Sequence, residues 1–179
     1  MLRRRTLNNF IIANFDVSDY TKSVQIIGWN QDNTTVTYDL SQILYIKVDG
    51  KIIKPTTHYT FSSNGNKQVV YYLKNGFTTM QNMFRNCIAL KTIDFKNCDT
   101  SKVTNMRALF HTCIALQNIL FNNKWKTNKV TDFGYMFYDC RVITSAVLEP
   151  FLCIFNTLVG VNFDSMFNSC SNIQSLRFD

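Results

Sequence analysis

Cysteine and histidine are the side chains of this chain that could do covalent or metal chemistry. There are six cysteines, Cys87, Cys98, Cys113, Cys140, Cys153 and Cys170, and two histidines, His58 and His111. A catalytic thiol needs an imidazole within hydrogen-bond reach and a lowered pKa. His111 and Cys113 come nearest in sequence, but on the helix expected there side chains two residues apart point in different directions. Metal sites built from these residue types use short spacings such as CxxC, and none occurs. The 12 acids are scattered, with no pair placed for general acid and base work. Neither a phosphate-cradling glycine loop nor a nucleophile elbow is present. The expectation is a protein that is not an enzyme, with no catalytic residues, no metal and no cofactor.

Recognition chemistry is better represented. Lys124, Trp125, Lys126, Lys129, Tyr135 and Tyr138 crowd into one stretch, and basic residues interleaved with aromatics suit a glycan or a protein partner. Stacking on nucleic acid is the less expected use of the same residues. The net charge is +7 although only 17% of residues are charged, so the basic balance reflects scarce acids. Three of the positive charges, Arg3, Arg4 and Arg5, sit together as a candidate anchoring arm for an acidic partner surface.

Four of the cysteines mark the elements that must position everything else. Aligned on Cys87, Cys113, Cys140 and Cys170, the sequence repeats a block with an apolar pair and a cysteine. Its members are Met83, Phe84 and Cys87; Leu109, Phe110 and Cys113; Met136, Phe137 and Cys140; and Met166, Phe167 and Cys170. Met80, Met106, Phe133 and Phe163 precede them, and Leu90, Leu116, Ile143 and Ile173 follow. Offsets of three, four, seven and ten residues lie on one face of an α-helix, so each copy predicts a short amphipathic helix. Thr104 and Thr131 are expected N-caps, with Asn105 and Asp132 in the first turn. The stretches "LKTIDF", "LQNILF" and "IQSLRF" then predict a strand after the helix. Six cysteines would suit three disulfides by count, but recurrence at one repeat position makes reduced core thiols the better reading. Units of this length cannot fold singly and bury their apolar faces by stacking. Pro150 and the apolar run 151–158 break the pattern between the third and fourth copies.

Upstream, the pattern changes to strands and tight turns. Asp49-Gly50 in "ILYIKVDGKIIK" and Asn64-Gly65 in "YTFSSNGNKQVVYYL" are hairpin signals, and "SVQIIGW" with "TTVTYDL" reads as another strand pair. The fold class predicted is α+β: a small N-terminal all-β module, then a leucine-rich-repeat-like solenoid of about four repeats with one strand and one helix each. The boundaries expected are an arm over 1–20, a β module over 21–76 serving as anchor or cap, and the repeats over 77–179. No secretory leader is expected from "TLNNFIIANFD", and no run of about 18 apolar residues encodes a membrane span.

The stretch "CDTSKVTNMRALFHTCIALQNI" resembles the BspA-like leucine-rich surface repeats, whose pattern is DTSKVTNMxxMFxxCxxLxxL, found in Bacteroidetes surface proteins and Mycoplasma lipoproteins. The resemblance covers residues 77–179. It implies a leucine-rich-repeat-like solenoid and a role in binding or display, without catalytic residues. The β stretch "LYIKVDGKIIKPTTHYTFSSNGNKQVVYYL" is similar to the short module that precedes such repeats in Bacteroidetes and their phages, and the opening "MLRRR" followed by a small β module resembles virion proteins of phages of gut Bacteroidetes. The resulting expectation is a virion surface protein, whether head-fibre, decoration or tail-associated. Its expected partners are other virion proteins or a host surface glycan or protein, with homo-oligomerisation, no membrane insertion and no nucleic acid. A bacterial cell-surface adhesin and an intracellular scaffold are the alternatives.

Overall fold

The structure is a computed structural model that describes residues 9–29, 38–152 and 160–176. Arg3, Arg4, Arg5 and Cys153 lie outside the described residues. The strands are β1 (Phe10–Val17), β2 (Val24–Gln25), β3 (Ile43–Val48), β4 (Lys51–Ile53), β5 (His58–Tyr59), β6 (Gly65–Leu73), β7 (Leu90–Asp94) and β8 (Asn118–Leu120). Among the described residues there is one α-helix, α1 (Ser145–Leu152), with Pro150 inside it.

This corrects the expected fold class. The protein is mostly β, and its repeats contain no helix, so it is not a leucine-rich-repeat solenoid with a strand and a helix in each unit. The reason is a left-handed residue placed twice in every copy. Asn82 and Asn86, Ala108 and Thr112, Tyr135 and Asp139, and Ser165 and Ser169 all have positive φ, between 51° and 62°. An α-helix cannot pass through that conformation. Each copy is instead two successive tight turns, closed in the first by Met83 N–H to Met80 O (3.1 Å) and Cys87 N–H to Phe84 O (3.0 Å). Two four-residue turns bring apolar positions to one side at the same three- and four-residue spacings as a helix, which is why the sequence pattern misled. α1 sits in the insertion between the third and fourth copies, away from the cysteine blocks.

Coiled this way, the backbone sends amides to one side of a copy and carbonyls to the other. Met80, Asn82, Phe84 and Asn86 donate to the carbonyls of Asn105, Arg107, Leu109 and His111, at 2.8–3.0 Å. Met106, Ala108, Phe110 and Thr112 donate in the same register to Asp132, Gly134, Met136 and Tyr138. Phe133, Tyr135, Phe137 and Asp139 donate to Asn162, Asp164, Met166 and Asn168. Between these rows Phe84, Phe110, Phe137 and Phe167 form a column of parallel rings, with centroids 5.5–6.0 Å apart. Behind the column each cysteine thiol donates to the carbonyl of the preceding copy's phenylalanine: Cys113 to Phe84 O and Cys140 to Phe110 O at 3.1 Å, and Cys170 to Phe137 O at 2.9 Å. Thr104 and Thr131 are not helix caps but rungs that run the other way, since their amides donate back to the preceding copy, to Thr78 O and Thr104 O. Asn105 and Asp132 accept from the amides two residues on, Arg107 and Gly134, the turn-stabilising use of short polar side chains.

The strands of the repeats continue the N-terminal sheet, whose order is β4-β3-β6-β1-β7-β8. β1 comes from residues counted with the arm in the sequence reading, yet it lies in the middle, antiparallel to both β6 and β7. β7 and β8, one copy apart, pair in parallel. Asp49-Gly50 does close the β3–β4 hairpin, with both φ values positive. Asn64-Gly65 does not close one, because β5 pairs with β2 in a separate two-stranded sheet. Of the proposed partner of "SVQIIGW", residues 34–37 lie outside the described residues. "IQSLRF" forms no strand over its described residues, 173–176.

The second sheet closes the first copy. Gly28 N–H donates to Met83 O (2.8 Å), the Gln25 amide donates to Arg85 O (2.7 Å), and the Asn86 amide donates back to Trp29 O (3.3 Å). Carbonyls that an earlier copy would have satisfied are thus taken by the end of β2 and the loop after it. A Cβ at Gly28 would stand 1.7 Å from Asn82 O, so only glycine allows the approach.

Candidate binding groove

The connectors between copies build a surface where basic and polar side chains converge on a cavity. Thr100–Val103 and Thr127–Val130 are equivalent turns, each closed by an amide of valine on a threonine carbonyl (2.9 Å). They are locked together across the rung by Thr100, whose hydroxyl donates to Lys126 O (2.8 Å) and accepts from Lys126 N–H (2.6 Å). Thr100 and Thr127 are buried, so the serine, asparagine and lysine that follow each threonine are turned outward. A groove of about 720 Å³ runs along Asn9, Asn75, Gly76, Asp99, Ser101, Lys102, Asn123, Lys124 and Lys126. It continues into a second recess of about 580 Å³ through Ser101, Lys102 and Lys126 to Asn128 and Lys129. Gly76 matters here for its backbone, whose φ of 75° favours glycine; a Cβ there would make only ordinary contact with the Lys102 side chain. Asp99 is the one carboxylate lining the groove. Hydrogen bonds from Ser101, and then the charges of Lys124 and Lys102, hold it below the usual carboxylate range.

The candidate residues named from the sequence are thereby divided. Lys124, Lys126 and Lys129 come together, and Lys102, which the sequence reading missed, joins them. Trp125 does not: it is 1% exposed, with its ring 4.5 Å from Phe95 and 5.0 Å from Phe121. Its burial follows from register, since it stands 27 residues after the core residue Cys98. Tyr135 and Tyr138 do not line the groove either. They form a separate half-buried cluster in which Tyr138 stacks on His111 (4.7 Å) and Arg107 lies over Tyr135 (4.6 Å).

The thiols and imidazoles are placed for packing. Cys87, Cys98, Cys113, Cys140 and Cys170 are free and buried. Burial pushes every one of these thiols up, Cys170 to about 11 and the others further. Native protein treated with iodoacetamide at mildly alkaline pH is therefore expected to leave all five unlabelled, with Cys170 the first to react as denaturant is added; mass spectrometry of the peptides reads this directly. Among the described residues no group of histidines, cysteines and acids could hold a metal ion.

His111 gives a pH signature. Burial, and then the charge of Arg85, press its pKa from 6.5 to about 4, against the opposing pull of Asp139. The unfolded imidazole takes up its proton near pH 6.5 and the folded one only near 4, so the unfolded state binds more protons in that window and stability falls as pH is lowered through it. The expected result is a melting temperature that drops between pH 6.5 and pH 4, with a shallower drop in His111→Gln; identical slopes would mean the ring is solvated.

Fold and groove together define a class: a repeat protein of stacked double turns, closed at one end by a β sheet and carrying its polar chemistry on the connectors. The chain belongs to the family described as Mycoplasma protein of unknown function, DUF285, which matches residues 78–177. That membership agrees with the resemblance of the repeats to BspA-like surface repeats. None of the curated proteins and none of the solved structures matches the chain.

Proposed function

We propose that the protein is a non-enzymatic structural and interaction protein displayed on an outer surface, that of a phage particle, where the groove of the repeat stack contacts a host glycan or a protein. The observation that carries this reading is the rigidity with which Thr100 fixes two adjacent connectors, so that their lysines present a preformed surface. What the groove offers is ammonium, amide and hydroxyl groups, which are recognition chemistry. A second location, the surface of a bacterial cell as an adhesin, is favoured by membership of a family described from Mycoplasma. No helix among the described residues is long and apolar enough to cross a membrane. Mass spectrometry of gradient-purified phage particles beside the envelope fraction of uninfected cells tests the reading. Stoichiometric peptides in particles support the virion surface; peptides in the envelope alone move the protein to the cell, and absence from both overturns display.

A further inference from the structure

Lys102 and Lys129 occupy the same place on successive rungs. Each is the third residue of a turn that begins at Thr100 or Thr127, and both line the same recess. Thr100 holds the two turns side by side, so the two ammonium groups share one recess and repel one another. Lys126 and Lys124 add two more ammonium groups, against the single carboxylate of Asp99. A surface that places like charges on adjacent rungs and locks them there with the buried Thr100 costs the isolated protein stability. An anion bound between them removes that cost.

We propose that this groove binds an acidic polysaccharide, a chain of sugars bearing carboxylate or sulfate groups, with one anionic group held between Lys102 and Lys129 and the next between Lys124 and Lys126. This rests on the interaction role proposed above and names its ligand class. The groove's own composition separates this ligand from a nucleic acid. None of its lining residues is aromatic, so there is no platform on which bases could stack. In their place are Asn75, Asn123 and Asp99, amides and a carboxylate suited to sugar hydroxyls. The aromatic side chains of the third copy, Tyr135 and Tyr138, are spent on His111 and Arg107 elsewhere.

The test uses the full purified chain, titrated with polygalacturonate and with heparin as carboxylate and sulfate probes, and with neutral dextran and single-stranded poly-dT as comparisons. The expected result is binding to one or both acidic glycans and none to dextran. It should disappear as salt is raised from about 0.1 M to about 1 M, where the screening length falls from about 10 Å to about 3 Å. The double variant Lys102→Gln, Lys129→Gln should lose at least tenfold in affinity with an unchanged or higher melting temperature, a combination that a merely structural role would not produce. Lys51→Gln with Lys54→Gln, on and beyond β4 and away from the groove, should leave affinity intact. Affinity for poly-dT equal to that for the glycans, no binding to either acidic glycan, or undiminished binding by the groove variant would each overturn the proposal. Because these titrations use purified chain, their failure leaves the particle and envelope measurement untouched, and the reverse holds too.

Discussion

Replacing Phe110 with alanine is expected to destabilise the protein by about 4 kcal/mol, the upper part of the range for emptying a buried aromatic site. Phe110 is fully buried, stacks on Phe84 on one side and on Phe137 on the other, and meets a third ring, Phe95, edge-on at 6.1 Å. Its own amide is a rung, donating to Met136 O at 2.9 Å, so the backbone around the cavity cannot relax inward without loosening the ladder. The measurement is the urea midpoint at unchanged slope, set against Phe167→Ala. Phe167 is half-buried and stacks on Phe137 alone, at 5.7 Å, so its loss should cost about 1 to 2 kcal/mol under the same area scaling. Equal costs at the two positions would mean that the rings do not act as a column.

Gly28→Ala is expected to cost about 3 kcal/mol, the large end of what overpacking does to a tight site. The added methyl would meet Asn82 O at 1.7 Å, Asn82 C at 2.9 Å and Arg85 N at 3.0 Å. All three are backbone atoms of the first double turn, so none can swing aside as a side chain would. Relief requires the loop after β2 to lift off, which breaks the bonds of Gly28 to Met83 O and of Gln25 to Arg85 O. Hydrogen exchange locates the damage: the amides of Gly28 and Ile27 should lose protection before those of the second and third copies. A variant as stable as the parent would show that the β sheet does not close the first copy in this way.

The repeat itself was legible because the cysteines recur in one register, and the register proved to be the ladder's own. The conformation inside each copy was not, because helix and double turn share the three- and four-residue spacing. The cue lay in Asn82 and Asn86, residue types that tolerate positive φ, but Ala108 and Tyr135 at the same positions concealed it. The place of β1 was hidden for a different reason: its pairings with β6 and β7 join residues far apart in the sequence, from Val17 with Gly65 to Ile12 with Asp94, and no local pattern encodes them. In the groove, three lysines were found because they cluster in sequence. Lys102 was missed because its neighbours in space lie on the next rung, although "TSKVT" over "TNKVT" places it directly beside Lys129. Trp125 was misjudged by residue type, when its register with Cys98 already assigned it to the core.

Within the double turns the paired amides all point to the next copy and the paired carbonyls to the previous one, which gives that part of the stack a polarity like that of a filament. At its carbonyl end the loop of Gly28 closes it. At its amide end the N–H groups of Ser165, Phe167 and Ser169 have no backbone acceptor among the described residues, and the exposed Phe163 stands beside them. Across the double turns alone, two such ends related by a two-fold axis would set donor against donor. A backbone that paired with these three amides would have to offer carbonyls, as each double turn of the stack already does to the one before it.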